Sequence, residues 1–143
     1  DLPVTTNGGS IAVAPYVGNS FAGTLNAAPW VAATVVMVSA PSSGTLAVGV
    51  SNDAYQLNAI ISGWTGSGTY TLGTGVARQI SAIKTGTNQF WGGAAGLSSG
   101  SITRVSQTAT RLQGSYDVTL APAGGGASGT LHLVGNFDFG IAP

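Results

Sequence analysis

Acid–base chemistry in this chain would have to come from one histidine, His132, and four aspartates, Asp1, Asp53, Asp117 and Asp138, because glutamate and cysteine are absent. A Ser–His–Asp relay needs each partner within hydrogen-bond reach of the next. On its own strand face His132 is matched by Asp138, but six residues of extended chain span about 20 Å. Asp53 or Asp117 would have to arrive from another strand, and no motif signals it. Glycoside hydrolysis needs two carboxylates roughly 5–10 Å apart, and four scattered aspartates specify no such pair. Zinc lacks ligands. "SND" at 51–53 offers calcium one carboxylate and one amide, and reads as a turn. The glycine-rich "AGGGAS" at 123–128 has neither the lysine nor the following helix of a phosphate loop. The expectation is a protein that is not an enzyme and holds no metal or cofactor.

Aromatic residues offer a binding surface instead. Trp64 precedes "TGSGT", and Phe90 and Trp91 precede "GGAAG". A tryptophan beside a glycine-rich loop can present a flat platform to a sugar ring or a small apolar ligand. The same ring can equally plug one end of a β-structure, which is how such large side chains are commonly used. Trp64 and Trp91 are candidate platform residues with that alternative open.

Composition narrows the partners. Charged residues make up 6% of the 143 residues, and four cations balance four aspartates. Four scattered cations cannot neutralise a row of phosphates, which argues against nucleic acid and anionic membrane surfaces. No run approaches the roughly 18 apolar residues of a membrane helix. The longest apolar candidate is Trp30–Val38. A net charge of zero gives little colloidal repulsion and favours association. Asp1 in place of methionine points to a processed chain, expected outside the cell or on its surface.

The elements that position these residues are strands. Twenty-three glycines, with many Thr and Val, suit short strands and tight turns. In Arg111–Leu120 the residues Leu112, Gly114, Tyr116, Val118 and Leu120 share one face, and Arg111, Gln113, Ser115, Asp117 and Thr119 the other. In Thr130–Phe139 Leu131, Leu133, Phe137 and Phe139 point inward, with Gly135 between them, and His132, Val134, Asn136 and Asp138 point out. Such alternation marks strands with one buried face. The segment 121–129 reads as a flexible hairpin loop joining them. Further strands are expected near 21–26, 30–38, 44–50, 55–62, 69–73, 78–84, 88–92 and 100–106. The pattern is all-β, an antiparallel sandwich or barrel of about ten strands with an N-terminal strand extension.

Two runs are apolar on both faces, Ser10–Val17 and Val31–Val38. An antiparallel strand of that kind is covered on both sides or lies at an interface. In the first, Ile11, Val13 and Val17 point one way, and Ala12, Ala14 and Tyr16 the other. Ordering its eight residues costs about 1–2 kcal/mol each in backbone entropy. Burying Ile11, Val13, Tyr16 and Val17 returns roughly 1.5–3 kcal/mol each. The totals are comparable, so the strand needs a hydrogen-bond ladder as well. Pro15 lacks an N–H, which suits an edge or terminal addition. Ile11, Val13, Tyr16, Val17, Val31, Val35 and Met37 are therefore candidate subunit-interface residues.

Four stretches carry a family likeness, "FAGTLNAAPWVA" at 21–32, "GSGTYTLG" at 66–73, "GSITRVSQTATRLQGSYDVTLA" at 100–121 and "TLHLVGNFDF" at 130–139. Their order resembles secreted bacterial β-rich domains of unknown function, often found on lipoproteins. The resemblance covers residues 21–139. It implies an exported, calycin-like or sandwich domain and supplies no catalytic residues. The chain departs from the pattern in having no lipobox-type cysteine near its start and in carrying the additional strand at 10–17. Residues 1–20 are thus expected to be an extension, a candidate donor strand, and 21–143 the β-domain. Two functions are expected. The first is a secreted structural subunit of a pilus-like filament, a homopolymer built head to tail by strand addition. The alternative is a cell-surface domain that binds a glycan or small apolar ligand.

Overall fold

The computed structural model describes residues 19–39, 44–64, 68–73, 78–94 and 96–140, with the backbone alone for 37–39. Among them lie twelve strands and no helix, arranged as two antiparallel six-stranded sheets, a β-sandwich. Sheet A runs in the order β2 (Ala28–Val31), β1 (Ser20–Leu25), β12 (Leu131–Gly140), β10 (Arg111–Leu120), β9 (Ser98–Gln107) and β6 (Thr69–Thr71). Sheet B runs β11 (Pro122–Gly124), β8 (Phe90–Gly92), β7 (Arg78–Lys84), β5 (Tyr55–Ser62), β4 (Thr45–Ser51) and β3 (Thr34–Ser39).

The pair β10–β12 is the centre of sheet A and pairs without interruption from Arg111↔Gly140 to Leu120↔Leu131. Its alternation is the one expected from the sequence. Leu112, Tyr116, Val118, Leu120, Leu131, Leu133, Phe137 and Phe139 are buried, while Gln113, Asp117 and His132 are exposed. Three glycines on the inner face make that packing possible. Gly114 lies opposite Phe137, and Gly135 lies between Tyr116 and Gly23. A Cβ on Gly114 would sit 2.4 Å from Phe137 Cζ, and one on Gly135 would sit 2.5 Å from the Tyr116 hydroxyl and 2.2 Å from the Ala22 carbonyl. The rings of Phe137 and Tyr116 fill the space that side chains at these positions would take. Phe21 stacks on Tyr116 with centroids 4.3 Å apart, and Trp30 meets Phe21 edge-on at 6.1 Å. Sheet B faces this layer with Leu46, Val48, Val50, Leu57, Ile61, Ile80 and Ala82, all buried. Between the sheets is an apolar void of about 30 Å³, about the size of one water and too small for a ligand.

Two segments differ from expectation. The apolar stretch 30–38 is two strands, not one. β2 pairs with β1 in sheet A, Ala32–Ala33 cross over, and β3 pairs with β4 in sheet B. The crossover leaves Trp30 buried and Val31 exposed on β2, and Val35 half-buried and Val36 exposed on β3. Asn52 fixes the crossover. Its side-chain amide donates to the Val31 carbonyl at 3.0 Å, while its Oδ1 accepts from the N–H groups of Ala54 and Tyr55, an Asx-turn that makes "SND" the expected turn. The loop 121–129 is likewise partly a strand, because β11 pairs with β8. Gly125 sits at φ 67°, and a Cβ there would meet the Asn88 carbonyl at 1.7 Å.

Two outcomes follow from this packing. Gly135→Ala should cost about 2–3 kcal/mol in urea unfolding, the range for overpacking a filled core, whereas Gly68→Ala, with open space around it, should stay within about 0.5 kcal/mol. Burial pushes the Tyr116 phenol above its ordinary range. The folded pKa then exceeds the unfolded one, so the stabilisation is complete below about pH 10 and is lost as pH rises beyond it. Urea midpoints measured across the alkaline range should fall for the natural chain, and less steeply for Tyr116→Phe.

Candidate functional site

The strand register brings together what the sequence left apart. His132 pairs with Thr119 and Asp117 with Val134, so the two side chains lie diagonally across β10 and β12 on the outer face of sheet A. His132 Nε2 is 2.8 Å from Asp117 Oδ1, and both side chains are exposed. Along the same face Arg111 Nε donates to Asp138 Oδ1 at 2.9 Å, and the Gln113 amide donates to Asp138 Oδ2 at 3.1 Å. Partial burial would raise the Asp138 pKa, but the bonds from Gln113 and Arg111 and the guanidinium charge outweigh it and hold the carboxyl below its usual range. A general base works in a concave site shielded from water. The His132–Asp117 pair stands on an open sheet surface among Ser101, Thr119, Thr24 and Asn136. Among the described residues no cluster of three or more His, Cys, Asp or Glu forms a metal cage.

Exposed valines stand on the outer face of sheet A too, Val31, Val105 and Val134, whereas the outer face of sheet B has no such ion pairs among the described residues. Val36, Gly49, Asn58, Ser81 and Gly92 are opposed in one row across β3, β4, β5, β7 and β8. Thr34, Ser51, Gln56, Ile83 and Phe90 form the next row. Val36, Ile60, Phe90 and Ile83 keep 55, 42, 40 and 38% of their surface exposed, and among the described residues no charged side chain stands in these rows. The outward residues of β4 are Thr45, Ala47, Gly49 and Ser51, the last three small, so β4 forms the floor of a groove between β3 and β5. The groove has a volume of about 270 Å³, with Val36 on one wall and Asn58 and Gln56 on the other.

The two tryptophans do not supply a platform. Trp64 and Trp91 are each 4% exposed. Trp64 stacks on Tyr70 at 4.3 Å and donates its indole N–H to Gln107 Oε1 at 2.8 Å. Arg78 lies over the Tyr70 ring and donates from Nε to the Ser62 carbonyl. Trp91 donates to the Gly129 carbonyl at 3.0 Å and meets Tyr55 edge-on. Their rings are covered by the core and their N–H groups are satisfied.

The interface candidates separate. Val31 is exposed on β2, and Val35 is half-buried against the core. The Met37 backbone pairs with Val48 in β3. Ile11, Val13, Tyr16 and Val17 lie outside the described residues. The sequence reading missed Val36, Ile60, Ile83 and Phe90. Their signal was present, since Ile60–Ile61 and Phe90–Trp91 put apolar side chains on both faces of β5 and β8. In comparisons with known proteins the chain matches no family model, no curated protein and no solved structure.

Replacing Trp64 or Trp91 with alanine should therefore cost about 3–5 kcal/mol of stability in urea unfolding. A solvent-facing platform residue would change stability by less than about 0.5 kcal/mol.

Proposed function

We propose that this chain is a secreted structural subunit of an extracellular, pilus-like filament, in which copies join head to tail by β-strand addition and residues 10–17 act as the donor strand. The observation that carries this reading is the uncharged outer face of sheet B, where Val36 on the edge strand β3 and Ile60, Ile83 and Phe90 across the sheet stand exposed. Exposed apolar surface of this kind, bounded by polar residues, is characteristic of protein contacts. The described strands enclose a core among themselves without residues 1–18, which supports assigning the eight-residue apolar run ahead of them to a neighbour. A zero net charge adds no repulsion between copies. Binding of a glycan or apolar ligand at Trp64 and Trp91 has less support, since both rings are covered.

Size-exclusion chromatography with light scattering, together with negative-stain microscopy, tests the proposal on the full chain. The natural sequence should form elongated polymers. Val13→Asp should remain monomeric and folded, because it would bring an unpaired carboxylate into an apolar seat. A natural chain that stays monomeric at all concentrations would sink the reading.

A further inference from the structure

We infer that the acceptor for residues 10–17 is the free edge of β3 on a second copy of the chain, an assignment that rests on the strand-addition reading above. Among the described strands, four edges are free, those of β2 and β6 in sheet A and β3 and β11 in sheet B. β6 and β11 are three residues long, and β11 includes Pro122. β2 is four residues long and contains Pro29. The Ala32 N–H bonds the Phe21 carbonyl of β1. By alternation the N–H of Trp30 also faces β1, so position 29 faces the open side. Proline there removes a donor from the free edge of β2. β3, "TVVMVS", is six residues long, has no proline, glycine or charge, and borders the groove through Val36.

The donor and this edge match. Neither carries a charge that would have to be desolvated. Ile11, Val13 and Val17 on one face of the run extend the core-facing side that Val35 occupies. Ala12 and Ala14 on the other face lie beside Val36. Among the described residues the Nε1 of the buried Trp30, on β2, has no hydrogen-bond acceptor.

The donor comes from another copy because the chain's own geometry is too short. Asn19 is held at sheet A, where its Oδ1 accepts from the Gly140 N–H at 2.6 Å. β1 is flanked on both sides by β2 and β12, which leaves no vacancy beside it. Only Gly18 separates Val17 from Asn19, and two residue steps reach about 7 Å. Packed sheets stand about 10 Å apart, and the free edge of β3 lies beyond the last strand of the opposite sheet. With Asn19 on sheet A and a single residue between it and the run, the run is assigned to the β3 of another copy.

Thiol cross-linking tests this on the full chain, which has no cysteine of its own. The double variants Ala12→Cys/Val36→Cys and Ala14→Cys/Val36→Cys are treated with a short bismaleimide and run on a denaturing gel. Ala12→Cys/Val31→Cys and Ala12→Cys/Thr71→Cys report the edges of β2 and β6. Circular dichroism of each variant checks that it folds. The expected result is a ladder of covalent oligomers from the Val36 pairs and none from the Val31 or Thr71 pairs. Polymers in the microscope with a ladder through Val31 or Thr71, or with none through Val36, would overturn the β3 assignment and leave strand addition standing. A cross-link confined to monomers would overturn both.

Discussion

Tyr116 lies across Gly135 and Phe137 across Gly114, and these two contacts determine how sheet A is built. A ring on one strand needs a vacancy on the next, and a glycine directly opposite provides it. Gly23, opposite Gly135 on β1, extends the vacancy by one more strand. A Cβ there would lie 2.0 Å from the Val134 carbonyl. Phe21 and Trp30 then close over the Tyr116 ring. The register of four strands thus depends on which residues are missing a side chain. A slip of one residue would set Tyr116 against Asn136 or Val134, turn every inward ring outward and leave the glycines facing nothing.

With sheet A packed inward by rings, its outer face mixes polar residues with exposed Val31, Val105 and Val134. The charged groups there are paired within the face, Arg111 with Asp138 and His132 with Asp117. Sheet B divides its residues differently. Its inner face is aliphatic, and its outer face carries Val36, Ile60, Ile83 and Phe90 between Ser, Asn and Gln. Both outer faces thus expose apolar side chains, and what separates them is the pair of ion pairs on sheet A. Gly49 lies on the floor of the sheet B groove. The nearest atom to a Cβ there would be Asn58 Oδ1 at 3.2 Å, so no close backbone approach accounts for the lack of a side chain as it does at Gly23. The consequence of glycine at this position is the depth of the groove.

Much of the fold was legible because period-2 alternation is a direct readout of one-sided burial. Arg111–Leu120 and Thr130–Phe139 could be assigned residue by residue, inward and outward. What alternation hides is a change of sheet. In 30–38 the chain passes from β2 to β3 through two alanines, and neither composition nor glycine nor proline marks the crossover. The residue that fixes it, Asn52, lies twenty residues away in sequence. β11 was hidden for another reason, since "PAG" inside a glycine-rich loop has no side-chain pattern and pairs only because β8 lies beside it. The His132–Asp117 contact depends on the diagonal offset between two strands, and a sequence read strand by strand does not contain that offset. Trp64 lies just past the end of β5 and Trp91 within β8, and neither ring could be assigned a direction from sequence, because a glycine-rich segment beside a ring is written alike whether the ring is covered or exposed.

A protein with no net charge and an apolar outer face has few general defences against edge-to-edge pairing, so the treatment of its edges is informative. Pro29 blunts β2, Pro122 blunts β11, and three-residue length limits β6 and β11. β3 is modified more lightly. Its pairing with β4 is regular from Thr34 to Met37 and shifts register before Ser39. A bulge there twists the strand and interrupts the ladder, which leaves about four residues of regular edge. That is too short to template a second extended sheet, yet sufficient to seat one incoming strand if side chains supply the rest of the binding. On the proposed reading Ile11, Val13 and Val17 supply it. A strand added to β3 would, on that reading, have its regular ladder end at this bulge.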